Sequence, residues 1–427
     1  MRATSRGAFN RKTTRKITSA CFAGALAALP LMAATASADE VFKATSAVTG
    51  LGSQNIVGFD ISFVDPVLRL YILGDRTNKA VDVVDTRGNA LVAQVGKGTF
   101  TGATGNNNTS GPDGVVFVDH KEIWAGDGNS TVKMFSWPSG TLVVPPLSTG
   151  GANRVDEMCY DPRDHVVMMA NNAETPFPFT TLVDSITHTI KAKITFDGTN
   201  GTPKATNGAE QCKWDQRTGK IYISVPEING PGDNSVAGGV AVIDPVSMKV
   251  EKVFTVSHDS CAGPQGMAIG PDDQILLGCN GASGDGLHST VIINEHSGAI
   301  MTVLNNESGS DEVWFNEGDG HYFLARSSAF GPNQLLGVVD AFGQREDQSV
   351  ATATSATINA HSVAVEPEHN QVYFPIPGAN AAFPAGASTV CASIGGSNTQ
   401  GCIAVFTAKH DDRSRIARER DHDDHQE

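Results

Sequence analysis

The sequence predicts an all-β fold, a seven-bladed β-propeller whose ring is closed by the N-terminal strand pairing into the last blade. Three observations carry this expectation. The first is a unit of an acidic pair, a short alternating strand, a Gly/Asp turn and a second apolar strand: SDEVWFNEGDGHYFLA, from Ser310 to Ala325. It recurs as GFDISFVDPVLRLYIL from Gly58, GPDGVVFVDHKEIWAG from Gly111, VDEMCYDPRDHVVMMA from Val155, AEQCKWDQRTGKIYIS from Ala209, GPQGMAIGPDDQILLG from Gly263 and AHSVAVEPEHNQVYFP from Ala360. Spacings of about 44 to 55 residues suit four short strands per repeat. The second is another recurring pattern, a β-branched strand ending in Asp or Asn, a turn and a further strand: AVDVVDTRGNALVAQV from Ala80, TTLVDSITHTIKAKI from Thr180, GVAVIDPVSMKVEKVF from Gly239 and STVIINEHSGAIMTVL from Ser289. The third is a deficit. The last repeat supplies three strands, while Val41–Val48 reads as a strand with no partner of its own. Joining them removes an exposed sheet edge.

Taken in order, residues 1–38 read as a secretory signal: a basic start with Arg2, Arg6, Arg11, Lys12, Arg15 and Lys16, an apolar run Ile17–Ala34, and a small-residue cleavage site Ala36-Ser37-Ala38. Blade one is expected at Gly58–Val64, Leu68–Leu73, Ala80–Val84 and Ala90–Val95. Blade two contributes Thr131–Phe135 and Thr141–Val144 as its third and fourth strands, joined by the turn Trp137-Pro138-Ser139-Gly140. Blades three to six begin near Arg154, Gly208, Gly263 and Asp311. Blade seven runs from Ala360 to Thr407 with strands Ser362–Val365, Gln371–Phe374 and Cys402–Phe406. The propeller therefore spans 39–408. Residues 409–427 are nearly devoid of apolar side chains and read as a disordered charged tail, in which His410, His422 and His425 stand among aspartates.

Removing the signal takes six basic residues and no acidic ones, moving the formal charge from −15 to −21. So acidic a body disfavours nucleic acid and suits cations or cationic partners. No other apolar stretch is long enough to span a bilayer. A periplasmic or secreted monomer is expected, with a small molecule or a protein as its ligand. Six cysteines remain, an even number suited to an oxidising compartment, and they allow 15 connectivities. Cys391 and Cys402 flank a short polar loop and are the easiest pair to close. Cys261 and Cys279 straddle one hairpin. Cys159 and Cys212 occupy equivalent places in adjacent repeats and are the least secure pair.

Short turns are expected on one face of the ring and long loops on the other, so function is expected on the long-loop face. Aligning the repeats sets one residue per blade at the channel mouth: Asp60, Asp113, Glu157, Glu210, Gln265, Glu312 and His361. Such a ring either recruits a divalent cation or is a water-filled channel with structurally bonded acids. A second ring comprises Asp75, Arg76, Asp127, Asn171, Asn172, Glu227, Asn280 and Arg326. Of these, Arg76, Asn172, Asn280 and Arg326 are candidate ligand-binding groups, the two arginines suiting a carboxylate or oxyanion, or else pairing with channel acids. Asp285 and His288 are loop candidates for acid–base work. Trp124, Trp214 and Trp314 are expected to pack within the blades. No GxSxG, P-loop, dinucleotide, HExxH or CxxC pattern offers a rival chemistry.

The V-x-V-I/V-D pattern resembles the YVTN, surface-layer type of propeller repeat. The inner hairpins, above all Gly263–Gly278, resemble those of the senescence-marker/gluconolactonase family. The second resemblance implies a central cation, Ca²⁺ or Mg²⁺, with Mn²⁺ or Zn²⁺ admitted by an imidazole. Glu157, Glu210, Glu312 and His361 would be its ligands, and Glu210 and His361 the acid–base groups of a lactone or ester hydrolase or a lyase. The first implies a non-catalytic propeller that binds a protein or small ligand on its long-loop face.

Overall fold

A computed structural model describes residues 41–52, 54–281, 289–305, 309–326, 335–354, 361–378 and 387–409. The signal segment, Asp285, His288 and the three tail histidines lie outside them.

Seven four-stranded antiparallel sheets form the blades. The strands are numbered in chain order, β1 to β28. Blade one is β2 (Ser62–Asp65), β3 (Leu70–Asp75), β4 (Ala80–Asp85) and β5 (Ala90–Val95). Blades two to six repeat that order, with inner strands β6 (Val115–Val118), β10 (Met158–Asp161), β14 (Cys212–Asp215), β18 (Pro264–Ile269) and β22 (Ser310–Asn316). Blade seven is β26 (Ala364–Glu366), β27 (Gln371–Pro377), β28 (Gly401–Lys409) and, outermost, β1 (Val41–Ala47). The first strand thus completes the last blade, with Val41 opposite Lys409 and Ala47 opposite Ala404. β28 reaches Lys409, one residue into the predicted tail. Among the described residues no helix is long and apolar enough to cross a membrane.

The second sequence repeat has a local cause. The Asp or Asn that ends the third strand in blades one, three, four, five and six folds its side chain over the following turn. Asp184 Oδ1 accepts from the backbone N–H groups of Ile186 and Thr187 at 3.0 and 2.8 Å, Asn294 Oδ1 from His296 and Ser297 at 3.1 and 3.0 Å, and Asp340 Oδ1 from Phe342 and Gly343 at 3.0 Å each. In blades one, three, four, five and six the register then slips near the outer end of the third strand. A bulge at one place in five blades is a built-in twist rather than a defect.

Blade two differs from expectation. Thr141–Val144 makes only a single bridge, Phe135 to Leu142, and the outer strand is the short β9 (Leu147–Ser148). Pro145 and Pro146 intervene, and neither has an N–H to give to a ladder.

Apolar faces of neighbouring blades supply the core. Leu70, Ile72, Val83 and Phe135 pack between blades one and two, and Val166, Met168, Ile221 and Ile223 between blades three and four. Near the axis the blades come too close for side chains: a Cβ on Gly114 would lie 1.6 Å from the carbonyl oxygen of Asp156. This convergence also settles the least secure cysteine pair. Cys159 and Cys212 are bonded across adjacent inner strands, with Cα atoms 5.8 Å apart. Cys261–Cys279 and Cys391–Cys402 are bonded as expected.

Candidate functional site: the central channel

In blades one, two, three, four and six the inner strand passes from an acidic end to an aromatic one within about three to four residues, roughly 10 Å of extended chain. The channel accordingly has two layers.

The acidic layer lies where the chain enters the inner strands. Arg76, from the end of β3, fills it. Its Nε donates to Asp113 Oδ1 at 2.8 Å and its Nη1 to Asn107 Oδ1 at 2.6 Å, while Nη2 pairs with both Asp60 and Asp113. Asp60 also holds His361 Nε2 at 2.8 Å. A second guanidinium, Arg154, donates from Nη2 to Asp156 Oδ2 at 2.6 Å and from Nη1 to the Asn107 carbonyl at 3.3 Å. Glu210 Oε2 accepts from Asn172 Nδ2 at 3.1 Å. Arg76, Arg154, Asp60, Asp113 and Asp156 are all less than a tenth exposed.

Slightly deeper, Glu157 and Glu312 meet, their carboxyl groups in hydrogen-bonding reach of one another. Gln211 buttresses them. Its Nε2 donates to Glu312 Oε2, and its Oε1 accepts from Met267 N and from Val313 N, the latter at 3.2 Å. Those two N–H groups border register slips in β18 and β22. Gln211 therefore bridges blades four, five and six with one amide.

Seven carboxyl groups, Asp60, Asp113, Asp156, Glu157, Glu210, Asp311 and Glu312, thus share the channel with Arg76, Arg154, Lys213 and His361. Burial disfavours their ionised forms, and mutual repulsion adds to it. Burial, reinforced by Asp60 and resisted by Arg154, lifts Asp156 to about 6. Burial, with Asp311 and Asp60 adding to it and Glu157 and Lys213 opposing, takes Glu312 up to about 8. Glu157, Glu210 and Asp113 are pushed well above the carboxylate range, and Asp311 is raised. Asp60 is the exception. Burial opposes its charge, but Arg76 and the His361 hydrogen bond prevail and hold it far below the usual range.

The aromatic layer lies toward the short turns. Gln211 and Lys213 point to one side of β14, Glu312 and Trp314 to one side of β22, by the two-residue period of a strand. Two rungs cross the channel: Gln211 to Glu312, and Lys213 Nζ 4.4 Å from the centre of the Trp314 ring. Phe63 of blade one meets Trp314 edge-on at 5.5 Å. Below them a cavity of about 530 Å³ is walled by Phe63, Phe117, Met158, Tyr160, Trp214 and Phe315, with Pro66, His120 and Pro162 at the short-turn rim. Its size is that of a small-molecule site.

The predicted residues are therefore divided. Arg76 and Asn172 join the acidic layer, Arg76 as an ion pair with channel acids. Asn280 donates its backbone N–H to the Gly263 carbonyl, and Arg326 Nη1 donates to Ser349 Oγ in blade six. Glu157 and Glu312 come together, whereas Glu210 is held by Asn172 and His361 by Asp60. Among the described residues, the carboxylate–imidazole groups whose ligand atoms lie within 4.8 Å of one another are Asp273/Glu295/His296 and Glu366/Glu368/His369, both beside short turns. Trp124 packs in a blade core as expected, and Trp214 and Trp314 pack against inter-blade cores while also lining the cavity. Arg154, Asp156, Asp311, Gln211 and Lys213 were not singled out by the repeats. The signal for Asp156 and Asp311 was the acidic pair itself, of which strict alternation admits one member to the channel. The register slip between Ser310 and Val313 breaks that alternation in blade six.

No protein-family model matches the chain, and no curated protein sequence matches it.

Proposed function

We propose that this chain is an exported, non-catalytic propeller that takes a small ligand into its central channel. Three disulfides and the signal-like N-terminus support export. The observation that carries the ligand reading is the division of labour within the channel. Of the acids the sequence sets at the channel mouth, Asp60 and Asp113 are engaged by Arg76, Glu210 by Asn172 and Glu312 by Gln211, while a cavity lined by aromatic side chains lies beside them. The ligand enters from the short-turn face, not across the long loops. The repeats keep their resemblance to the YVTN type, which suits a binding protein.

The neutral fluorescent probe N-phenyl-1-naphthylamine tests this. One saturating site with enhanced emission is expected. Ile269→Trp, which fills the cavity from its wall, should weaken binding at least tenfold while the melting temperature stays within a few degrees. Binding that Ile269→Trp leaves intact, or no saturable binding at all, places the ligand elsewhere.

One observation favours a second reading. Seven carboxyl groups exceed three fixed cations and one imidazole. A divalent cation drawn to Glu157, Glu210, Glu312 and His361 would offset the surplus and supply the Lewis acid of a gluconolactonase-like hydrolase, with Glu210 and His361 as acid–base groups. It requires ionised carboxylates, whereas burial here favours their protonated forms.

A further inference from the structure

Away from the channel, blade five brings together a separate set of groups with metal-ligand chemistry. Its short turns carry Asp273, just before the second strand β19 (Gln274–Cys279), and Glu295 and His296, just after the third strand β20 (Ser289–Asn294). One ligand atom from each lies within 4.8 Å of the others. The backbone beneath them is fixed. Glu295 N donates to the Asp273 carbonyl at 2.8 Å and ties the two turns together, and Asn294 Oδ1 accepts from His296 N at 3.1 Å.

Acidic turns are common without an ion, and Glu295 is what sets this one apart. Its side chain is fully buried. Oε2 pairs with Arg217 Nη2 at 2.9 Å, but Oε1 is closed to solvent and meets no hydrogen-bond donor among the described residues. A buried carboxylate oxygen left in that state is costly. It faces His296 Nε2 at 3.7 Å, and that nitrogen lies 3.3 Å from Asp273 Oδ2. Bonds of about 2.0–2.2 Å around tetrahedral zinc set neighbouring ligand atoms roughly 3.3–3.6 Å apart. Arg217, on the far oxygen, supplies the outer hydrogen bond that orients a ligating carboxylate. The carboxylate–imidazole group of blade seven differs. There Glu366 Oε1 accepts from Glu368 N at 2.9 Å, Glu366 Oε2 from His369 N at 3.0 Å, and Arg69 Nε pairs with Glu368 at 3.2 Å. Those carboxylates already have their partners.

We propose that Asp273, Glu295 and His296 bind a zinc ion, with water completing its shell. One imidazole and two carboxylates suit Zn²⁺ and its first-row neighbours, whereas Ca²⁺ takes about six to eight oxygens. The two carboxylates balance the charge of the ion. The side chains of His296 and Asp273 are 58% and 47% exposed, so both can turn aside to admit it to Glu295 Oε1. The site is independent of the channel and of what the channel binds. Three ligands open to water release their ion on dilution, so protein without added metal melts as the ring alone.

The test is a calorimetric titration of the EDTA-treated, desalted mature protein with zinc chloride at pH 7.5. The wild-type protein is compared with His296→Ala and with His369→Ala, the control in blade seven. One saturating binding event is expected to be weakened at least tenfold by His296→Ala and kept by His369→Ala. Zinc held by the tail histidines would appear alike in all three proteins. His296 is exposed, so its variant should melt with the wild type when no metal is added. Should it not fold, zinc protection of His296 from diethyl pyrocarbonate, read by peptide mass spectrometry on the wild-type protein, decides alone. Zinc binding that His296→Ala leaves unchanged overturns the proposal. So does an equal loss in His369→Ala, which marks unspecific binding to surface acids, and so does a wild-type protein that binds no zinc or leaves His296 unprotected.

Discussion

Replacing Arg76 with alanine is expected to cost about 3–5 kcal/mol of stability, the penalty for stranding a buried charge without its partner. Asp60 is held ionised by this guanidinium and Asp113 is bonded to it, and neither is more than about a twentieth exposed. Two arms of the fork serve Asp113 and a third holds Asn107, so the side chain also fixes the long connection between blades one and two. Arg76→Lys should rescue only part of the loss, because a single ammonium cannot reproduce a planar three-way fork. Arg76→Ala combined with Asp113→Asn should recover stability relative to the single change. Denaturant unfolding measures all three. A loss below 1 kcal/mol for Arg76→Ala would mean that the channel acids are neutralised by something other than this residue.

Deleting residues 39–50 should lower the melting temperature steeply and promote aggregation, since β28 would become an open edge. β1 does more than cover that edge. Phe42 is 1% exposed and packs edge-on against Phe323 at 5.1 Å in blade six. Its backbone exchanges hydrogen bonds with the Gln348 side chain, N to Oε1 at 2.8 Å and Nε2 to O at 3.0 Å. The strand thus fastens blade seven to blade six as well as closing its own sheet. Phe42→Ala alone is expected to cost about 3–5 kcal/mol through the cavity it leaves. A truncated chain that melts with the full-length protein would show that the ring holds without its clasp.

The ring was legible because the blades repeat their own local reasons: turn-forming Asp or Asn, period-two apolar strands and, in five of the seven, an acidic residue at the entry. The clasp was legible from an unpaired strand and a three-stranded repeat. The site was legible only in part. Alignment of repeats finds residues at equivalent positions, so it found Asp60, Asp113, Glu157 and Glu312. It could not find what breaks the repeat. Lys213 stands where other blades carry Phe63, Cys159 or Trp314 at the equivalent place, and a cation there does not follow from the repeat. Likewise the tryptophans sit on strand patterns that look like core. Trp214 and Trp314 stand on innermost strands beside the channel, whereas Trp124 stands on the second strand of blade two.

The central claim is that protons and the chain's own arginines, rather than a bound cation, neutralise the channel acids. Melting temperature at pH 5.5 and pH 8, with and without EDTA, tests it directly. An acid whose folded-state pKa is raised keeps its proton while the unfolded chain releases one, so stability falls as pH climbs from the unfolded value near 4 to the folded one. Asp156 at about 6 and Glu312 at about 8 place that loss between pH 4 and 8. His361, raised by Asp60 against its burial, acts in the same sense, its contribution complete below about pH 6.5 and lost as pH rises through its folded value. Asp60, depressed, loses its contribution only in strong acid. The account predicts a higher melting temperature at pH 5.5 than at pH 8, with no effect of EDTA at either. A melting temperature that rises toward pH 8 and collapses with EDTA would contradict it, since that is the behaviour of ionised carboxylates holding a metal.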